Sequence, residues 1–282
     1  MSTAPTNPLV TKSNHLIESA YKLSLAEQRL LLAVVAKIDS HPNKPPITAA
    51  DQIEVSATEI ADLFDMPVKQ AYAALKDAAE RLYERSVTIG KPDPDDPRVE
   101  YTKTRWVSAV SYLPAQGYVG LYLAPKVLPY LTQLAGEFTR YRLQNVAPMS
   151  SVYAIRLYDL LVQWESTGER EVGLDWLRQQ FLVPDNYSRL FDLKRYVIQP
   201  AIDQINAHSN LTVSYTQRKA GRQVVALQFK FGPKVEPPPL QATSVPASKP
   251  KLDRAFIEAN ARPGESWEQA AARLSARAAQ KV

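Results

Sequence analysis

A chain of 282 residues, 45% of them hydrophobic, is long enough to build two cores of ordinary size. It contains no cysteine, which excludes disulfides and thiolate chemistry, and its three histidines (His15, His41, His208) form no HxH or HExxH metal motif. The net charge of +5 suits a polyanionic partner, while no uncharged apolar run of about 18 residues and no apolar secretion signal point to a cytoplasmic protein without a membrane partner.

Ser24 with Glu27 three residues on makes a capping-box pattern, and Leu30, Leu31, Val34, Val35 and Ile38 predict a helix over 25–38. A strand ending near Val55 leads to a short helix over 58–64, with Glu59 and Asp62 on its exposed face. A turn at Pro67 and a long helix over 68–85 follow, with Tyr72, Leu75, Ala79 and Leu82 expected in the core. Next come β-patterned runs at 86–89, 104–112 and 118–123, interrupted by the Pro/Asp loop Lys91–Pro97.

A second amphipathic helix is expected over 151–164, from Ile155, Leu157, Tyr158, Leu161 and Val162. Helices over 174–182 and 188–208 follow, separated by a turn at Pro184; Pro200 should kink or interrupt the longer one by removing a backbone donor. Strands at 211–216 and 224–231 complete this part. Gly232–Pro250 has the composition of a proline-rich linker, and Trp267–Ala279 that of a short Ala-rich helix.

The same order thus occurs twice. Val55, Ile60, Phe64 and Pro67 recur as Val172, Leu177, Phe181 and Pro184, each 117 positions later, and Leu75-Lys76 recurs as Leu193-Lys194 after 118. Helix, strand, helix, turn, helix, hairpin is the order of a winged helix-turn-helix. The expected fold class is therefore α+β, two tandem winged helix-turn-helix domains over 1–130 and 131–232, with a tail over 233–282. In a helix-turn-helix the second helix enters the major groove of DNA while the first braces it.

Charge sharpens that expectation. Residues 1–130 carry 14 Lys+Arg against 15 Asp+Glu, residues 131–232 carry 12 against 9, and residues 233–282 carry 8 against 5. Within 187–222 six basic residues face only Asp192 and Asp203. Candidate DNA contacts are Ser188, Arg189, Lys194 and Arg195 on the second recognition helix, and Arg218, Lys219 and Arg222 around the glycine-containing wing tip. The first recognition helix offers Lys69, Gln70 and Lys76 but is acidic further along (Asp77, Glu80, Glu84). A basic hairpin tip or helix face alone is usually solvated surface. The two together, in winged-helix order, favour double-stranded DNA.

No catalytic residue, metal ligand set or cofactor motif is apparent, so a non-enzyme is expected. Gly90-Lys91 is followed by Pro92 and lacks the upstream glycine of a phosphate-binding loop. The 14 tyrosines have neither the HxH of a rolling-circle nickase nor the HxxR of a tyrosine recombinase beside them; Tyr21, Tyr112, Tyr158 and Tyr196 suit core and rim.

Three segments carry a resemblance: Val10–Glu18 continuing through Leu23–Leu30, Ala71–Leu82, and Phe191–Asn206 with its proline. Together they resemble, over roughly residues 8–231, the iteron-binding plasmid replication initiators. The resemblance implies two winged-helix domains gripping a directly repeated origin site as a monomer, followed by origin melting and loading of the host initiator and replicative helicase. It also implies homodimers, joined through the first domain, that repress their own promoter at an inverted repeat and so take part in copy-number control. The tail lies outside the resemblance. A tandem winged-helix transcriptional repressor, or a primase- or nickase-like enzyme, is the rival expectation.

Overall fold

The computed structural model describes residues 7–90, 98–113, 117–234 and 265–279. The loop Lys91–Pro97 and most of the linker Gly232–Pro250 lie outside the described residues.

The chain starts with β1 (Leu9–Ser13), α1 (Asn14–Ile17) and the two-residue β2 (Ala20–Tyr21). Then α2 (Leu25–Val35) opens on the expected capping box: Ser24 Oγ accepts from the Glu27 N–H, and the Glu27 carboxylate accepts from the Ser24 N–H. β3 (Gln52–Ser56), α3 (Ala57–Phe64) and α4 (Val68–Glu84) form the first helix-turn-helix. β4 (Ser86–Gly90) and β5 (Tyr101–Arg105) pair beside β2, whereas β6 (Val107–Leu113) and β7 (Tyr118–Leu123) pair with β3 in the order β3-β7-β6. The β-patterned run expected over 104–112 is therefore two strands in two sheets. They divide at Trp106, whose side chain is buried at 1% exposure and meets Tyr21 edge-on, with ring centroids 5.0 Å apart.

After β8 (Phe138–Arg142), which pairs antiparallel with β1, the second copy begins. It comprises α5 (Val152–Val162), β9 (Glu169–Gly173), α6 (Leu174–Phe181), a 3-10 turn over Asp185–Tyr187 and α7 (Leu190–Leu193). A π-helical turn over Lys194–Ile198 then leads into α8 (Gln199–His208) and the hairpin β10 (Leu211–Ala220) and β11 (Gln223–Pro233), with sheet order β10-β11-β9. Pro200 does interrupt the regular ladder: the π turn sits just before it, and the missing proline N–H falls in the first turn of α8.

The 117-residue offset is the register of the fold itself. β3 and β9 both have five residues, α3 and α6 both have eight, and each begins 117 positions after its counterpart. Both helices stop on a left-handed residue, Asp65 (φ 47°) and Leu182 (φ 45°). Both prolines of the repeat then cap the next helical turn, Pro67 that of α4 and Pro184 the 3-10 turn. Two winged helices in tandem result.

Residues up to Lys234 pack as one unit, and α5 is buried within it. Its expected single apolar stripe is in fact burial on all sides, since every residue from Ala154 to Val162 is buried, Arg156 and Asp159 included. Those charges face groups brought from the start of the chain and, for Arg156, from α6 as well. Arg156 donates to the carbonyls of Ser19 (2.6 Å), Tyr21 (2.8 Å) and Gln180 (2.7 Å), and its guanidinium lies 3.8 Å from the Tyr21 ring centroid. Lys12 pairs with Asp159 at 2.5 Å, and Arg170 of β9 reaches Glu18 at 2.6 Å. Residues from Val235 form a separate unit, in which the expected helix Trp267–Ala279 (α9) is present.

Candidate nucleic-acid interface

The second helix-turn-helix turns on Arg178 of α6. Its two terminal nitrogens donate to the carbonyls of Tyr187 (2.6 Å) and Ser188 (2.8 Å), fixing the turn just before α7. Tyr187 also stacks on Tyr196 across this turn, with ring centroids 5.4 Å apart. Nothing in the sequence singles out Arg178, because the position 117 residues earlier is Ala61 and the repeat gives no template.

The turn delivers Arg189 as the N-cap of α7, in extended backbone (φ −70°, ψ 139°). No side chain caps this helix start, so its first N–H groups keep their capacity for an outside acceptor. Ser188, Arg189 and Arg195 are exposed, while Lys194 is only half-exposed and stands at the start of the π turn. The Arg195 guanidinium lies 6.0 Å from the Phe191 ring centroid and 5.4 Å from that of Tyr196.

The wing is the hairpin β10–β11. Ala220 pairs with Gln223, leaving Gly221 and Arg222 as a two-residue loop with Gly221 at φ 60°, the sense that a tight hairpin requires at its first loop position. Lys219 and Arg222 are exposed at this tip. Arg218 is exposed as well, but it is engaged: its Nε lies 2.8 Å from the Glu171 carboxylate on β9. Among the described residues no carboxylate pairs with Arg189, Lys194, Arg195, Lys219 or Arg222.

The first recognition helix is built differently. Lys69 and Gln70 are exposed in its uncapped first turn. Lys76 lies 3.8 Å from Glu80 and sits over the Tyr112 ring at 5.4 Å. Tyr72, expected in the core, is 43% exposed instead and its hydroxyl accepts from that of Tyr112 at 3.1 Å. It belongs to the contact between α4 and the wing strand β6.

Further along α4, Arg81 (3.2 Å) and Arg85 (2.9 Å) both bind Glu27, which is completely buried. Burial pushes the Glu27 carboxyl up, but the Arg85 hydrogen bond, the Ser24 N–H and the Arg85 charge outweigh it and hold the group below the ordinary glutamate value. The capping glutamate of α2 therefore also anchors the recognition helix. Among the described residues there is no group of three or more His, Asp or Glu placed to hold a metal ion, and no helix is long and apolar enough to cross a membrane.

Residues 9–162 match the family described as Initiator Replication protein, WH1, and residues 173–231 match that described as Initiator Rep protein, WH2. The chain is 25% identical over 229 residues to an Escherichia coli Replication initiation protein, covering 79% of this chain and 69% of that one. It is 23% identical over 253 residues to the Escherichia coli PI protein, covering 77% and 80%. It also resembles the crystal structure of the Pi initiator protein in complex with iteron DNA, with a TM-score of 0.70 at 22% identity, covering 83% of this chain and 100% of that one. The fold is the same.

Proposed function

Because the chain belongs to the Initiator Replication protein family, with a WH1 and a WH2 domain, we propose that it initiates plasmid replication by gripping directly repeated origin DNA with both winged helices of one chain. The observation that carries this reading is the second head: Arg189 at an uncapped recognition-helix start, and a wing tip with Lys219 and Arg222, none of them paired with a carboxylate among the described residues. The likeness to a protein whose structure was solved with iteron DNA supports the same choice of ligand.

Two heads in one unit support a monomer on each direct repeat. Homodimers on an inverted repeat at the protein's own promoter, origin melting, and recruitment of the host initiator and replicative helicase complete the proposal. These steps are supported by family membership alone. The proposed contacts are Ser188, Arg189, Lys194, Arg195, Arg218, Lys219 and Arg222, with Lys69, Gln70 and Lys76 adding less.

The test separates reading from positioning. Arg189→Ala should cost about 1–3 kcal/mol on the repeat and much less on random duplex, since an arginine in the first turn can donate to a guanine edge. Lys219→Ala should weaken both duplexes alike and make the salt dependence shallower by about one unit. Titrations of both variants on both duplexes at several salt concentrations measure this. Equal losses for Arg189→Ala on both duplexes would remove α7 from the base-reading role.

A further inference from the structure

Among the described residues the most exposed large hydrophobic side chain is Phe191, at 66%. It stands on α7, two positions after the N-cap Arg189, and Leu193 of the same turn is fully buried. The helix is therefore anchored to the core through Leu193 while Phe191 stays in water. The Arg195 guanidinium lies 6.0 Å from its ring centroid, the exposed Arg189 stands two positions earlier in the sequence, and the half-exposed Asp192 is the carboxylate next to it.

Single exposed apolar side chains are ordinary on protein surfaces. A phenylalanine next to a guanidinium, on the helix that follows the turn held by Arg178, is a more specific observation. Tyr196, the other exposed ring on this helix, is stacked on Tyr187 and thereby accounted for within the fold. The ring contact recorded for Phe191 is the Arg195 guanidinium, 6.0 Å from its centroid.

The ligand must offer negative charge to the exposed Arg189 and Arg195 and, beside Arg195, something apolar. The major groove does both: phosphates and purine acceptors carry the charge, and the C5-methyl of thymine is the one apolar group displayed on a base edge there. A second copy of this chain fits worse, because a symmetric contact centred on Phe191 would bring Arg189 and Arg195 of one copy against those of the other.

We propose that Phe191 is a specificity-determining residue of the second winged helix, packing its ring on the C5-methyl group of a thymine in the bound repeat. This rests on the reading of α7 as a groove-facing helix.

The experiment replaces each thymine of the repeat in turn by deoxyuridine, which removes the methyl group and leaves base pairing and the groove hydrogen-bonding groups in place. For the wild-type chain, one position should lose about fourfold in affinity, the worth of one buried methyl group. Phe191→Ala should bind the intact repeat about tenfold more weakly and be indifferent to deoxyuridine at that position, while Phe191→Leu should keep the sensitivity. An unchanged melting temperature confirms that the exposed side chain can be removed without harm to the fold.

If Phe191→Ala still loses fourfold on the deoxyuridine repeat, the ring does not touch that methyl and the proposal is overturned. It is equally overturned if Phe191→Ala binds the intact repeat like wild type but alters the sedimentation of the free protein, which would mark a contact between copies. A wild-type chain with no preference for the repeat over random duplex would instead defeat the DNA reading itself.

Discussion

The two winged helices share a frame and differ in what their cations do. From strand to left-handed helix stop the elements of the two copies begin and end at a spacing of 117. In the first, Lys37 pairs with Glu59, Lys76 with Glu80, Arg81 and Arg85 with Glu27, and Arg105 with Glu84. In the second, Arg189, Arg195, Lys219 and Arg222 are exposed and lack carboxylate partners among the described residues. The recognition helices begin differently too: α4 starts directly after Pro67, whereas a 3-10 turn held by Arg178 separates Pro184 from α7. One frame therefore supports two kinds of head: in the first the basic side chains along the later turns of the recognition helix are paired with carboxylates, and in the second those at the helix start and the wing tip are not.

That contrast matters for a shared site only if the heads keep a fixed relation, which makes the joint the place to break it first. Arg156 is buried and donates to three carbonyls, two from the start of the chain and one from α6. Arg156→Met keeps the volume but leaves those acceptors unpaired beside a buried Asp159. The expected cost is about 3–5 kcal/mol in urea unfolding, the range for stripping one partner from a buried charged network. Binding to the complete repeat should fall more than binding to a duplex carrying only one head's half-site. A loss of stability below about 1 kcal/mol would show that the heads are oriented by other contacts.

Much of the frame was legible because periodicity and capping are local. The capping box at Ser24, the apolar faces of α3, α4 and α6, and the β-patterned hairpins each follow from residues close in sequence. The strand pair β1–β8 was not, since Leu9–Ser13 has no alternation and its partner lies some 130 residues away. The helical pattern of α5 gives no sign that Arg156 and Asp159 are buried, because their burial depends on both copies closing around them. Trp106 divides one β-patterned run into two sheets, which no period-two pattern could signal. Of the site, the recognition-helix start and the wing were visible as charge in winged-helix order. The half-burial of Lys194, the pairing of Arg218 with Glu171 and the bracing by Arg178 were not, because each depends on a side chain meeting another element.

Glu27 tests the first head's side of the contrast. Glu27→Gln should cost about 1–3 kcal/mol, through the loss of a buried charge-assisted anchor for Arg81 and Arg85. Because the folded carboxyl titrates below its ordinary value, its contribution is full above the unfolded glutamate pKa and disappears as acid takes the pH through the lower folded one. The difference between wild type and variant in urea midpoint should thus be constant near neutrality and shrink on acidification through that window. A difference that stays the same throughout would mean that the carboxylate charge is not what holds α4. Freed arginines should also raise the chain's affinity for random duplex, moving the first head toward the behaviour of the second.

The smallest expected effect concerns Arg218, a proposed contact of the second head that does have a carboxylate partner. Arg218 is held by Glu171 at 2.8 Å, with the two side chains 52% and 44% exposed. An exposed pair of this kind is worth about 0–1 kcal/mol, so Glu171→Gln should leave the melting temperature nearly unchanged. Its effect belongs in binding. In wild type Arg218 must either leave Glu171 or carry that carboxylate with it toward the DNA; the variant removes both penalties. Affinity should rise about two- to fivefold at physiological salt, under about 1 kcal/mol, and equally on repeat and random duplex, since a phosphate contact carries no sequence. The salt dependence should steepen by about one unit. The double variant Glu171→Gln with Arg218→Ala decides the cause, because the gain should vanish with the guanidinium. If it persists, removal of the negative charge alone explains it and Arg218 belongs with the structural cations of the first head. If Glu171→Gln weakens binding, the pair acts on DNA as a unit, Glu171 orienting the guanidinium rather than withholding it.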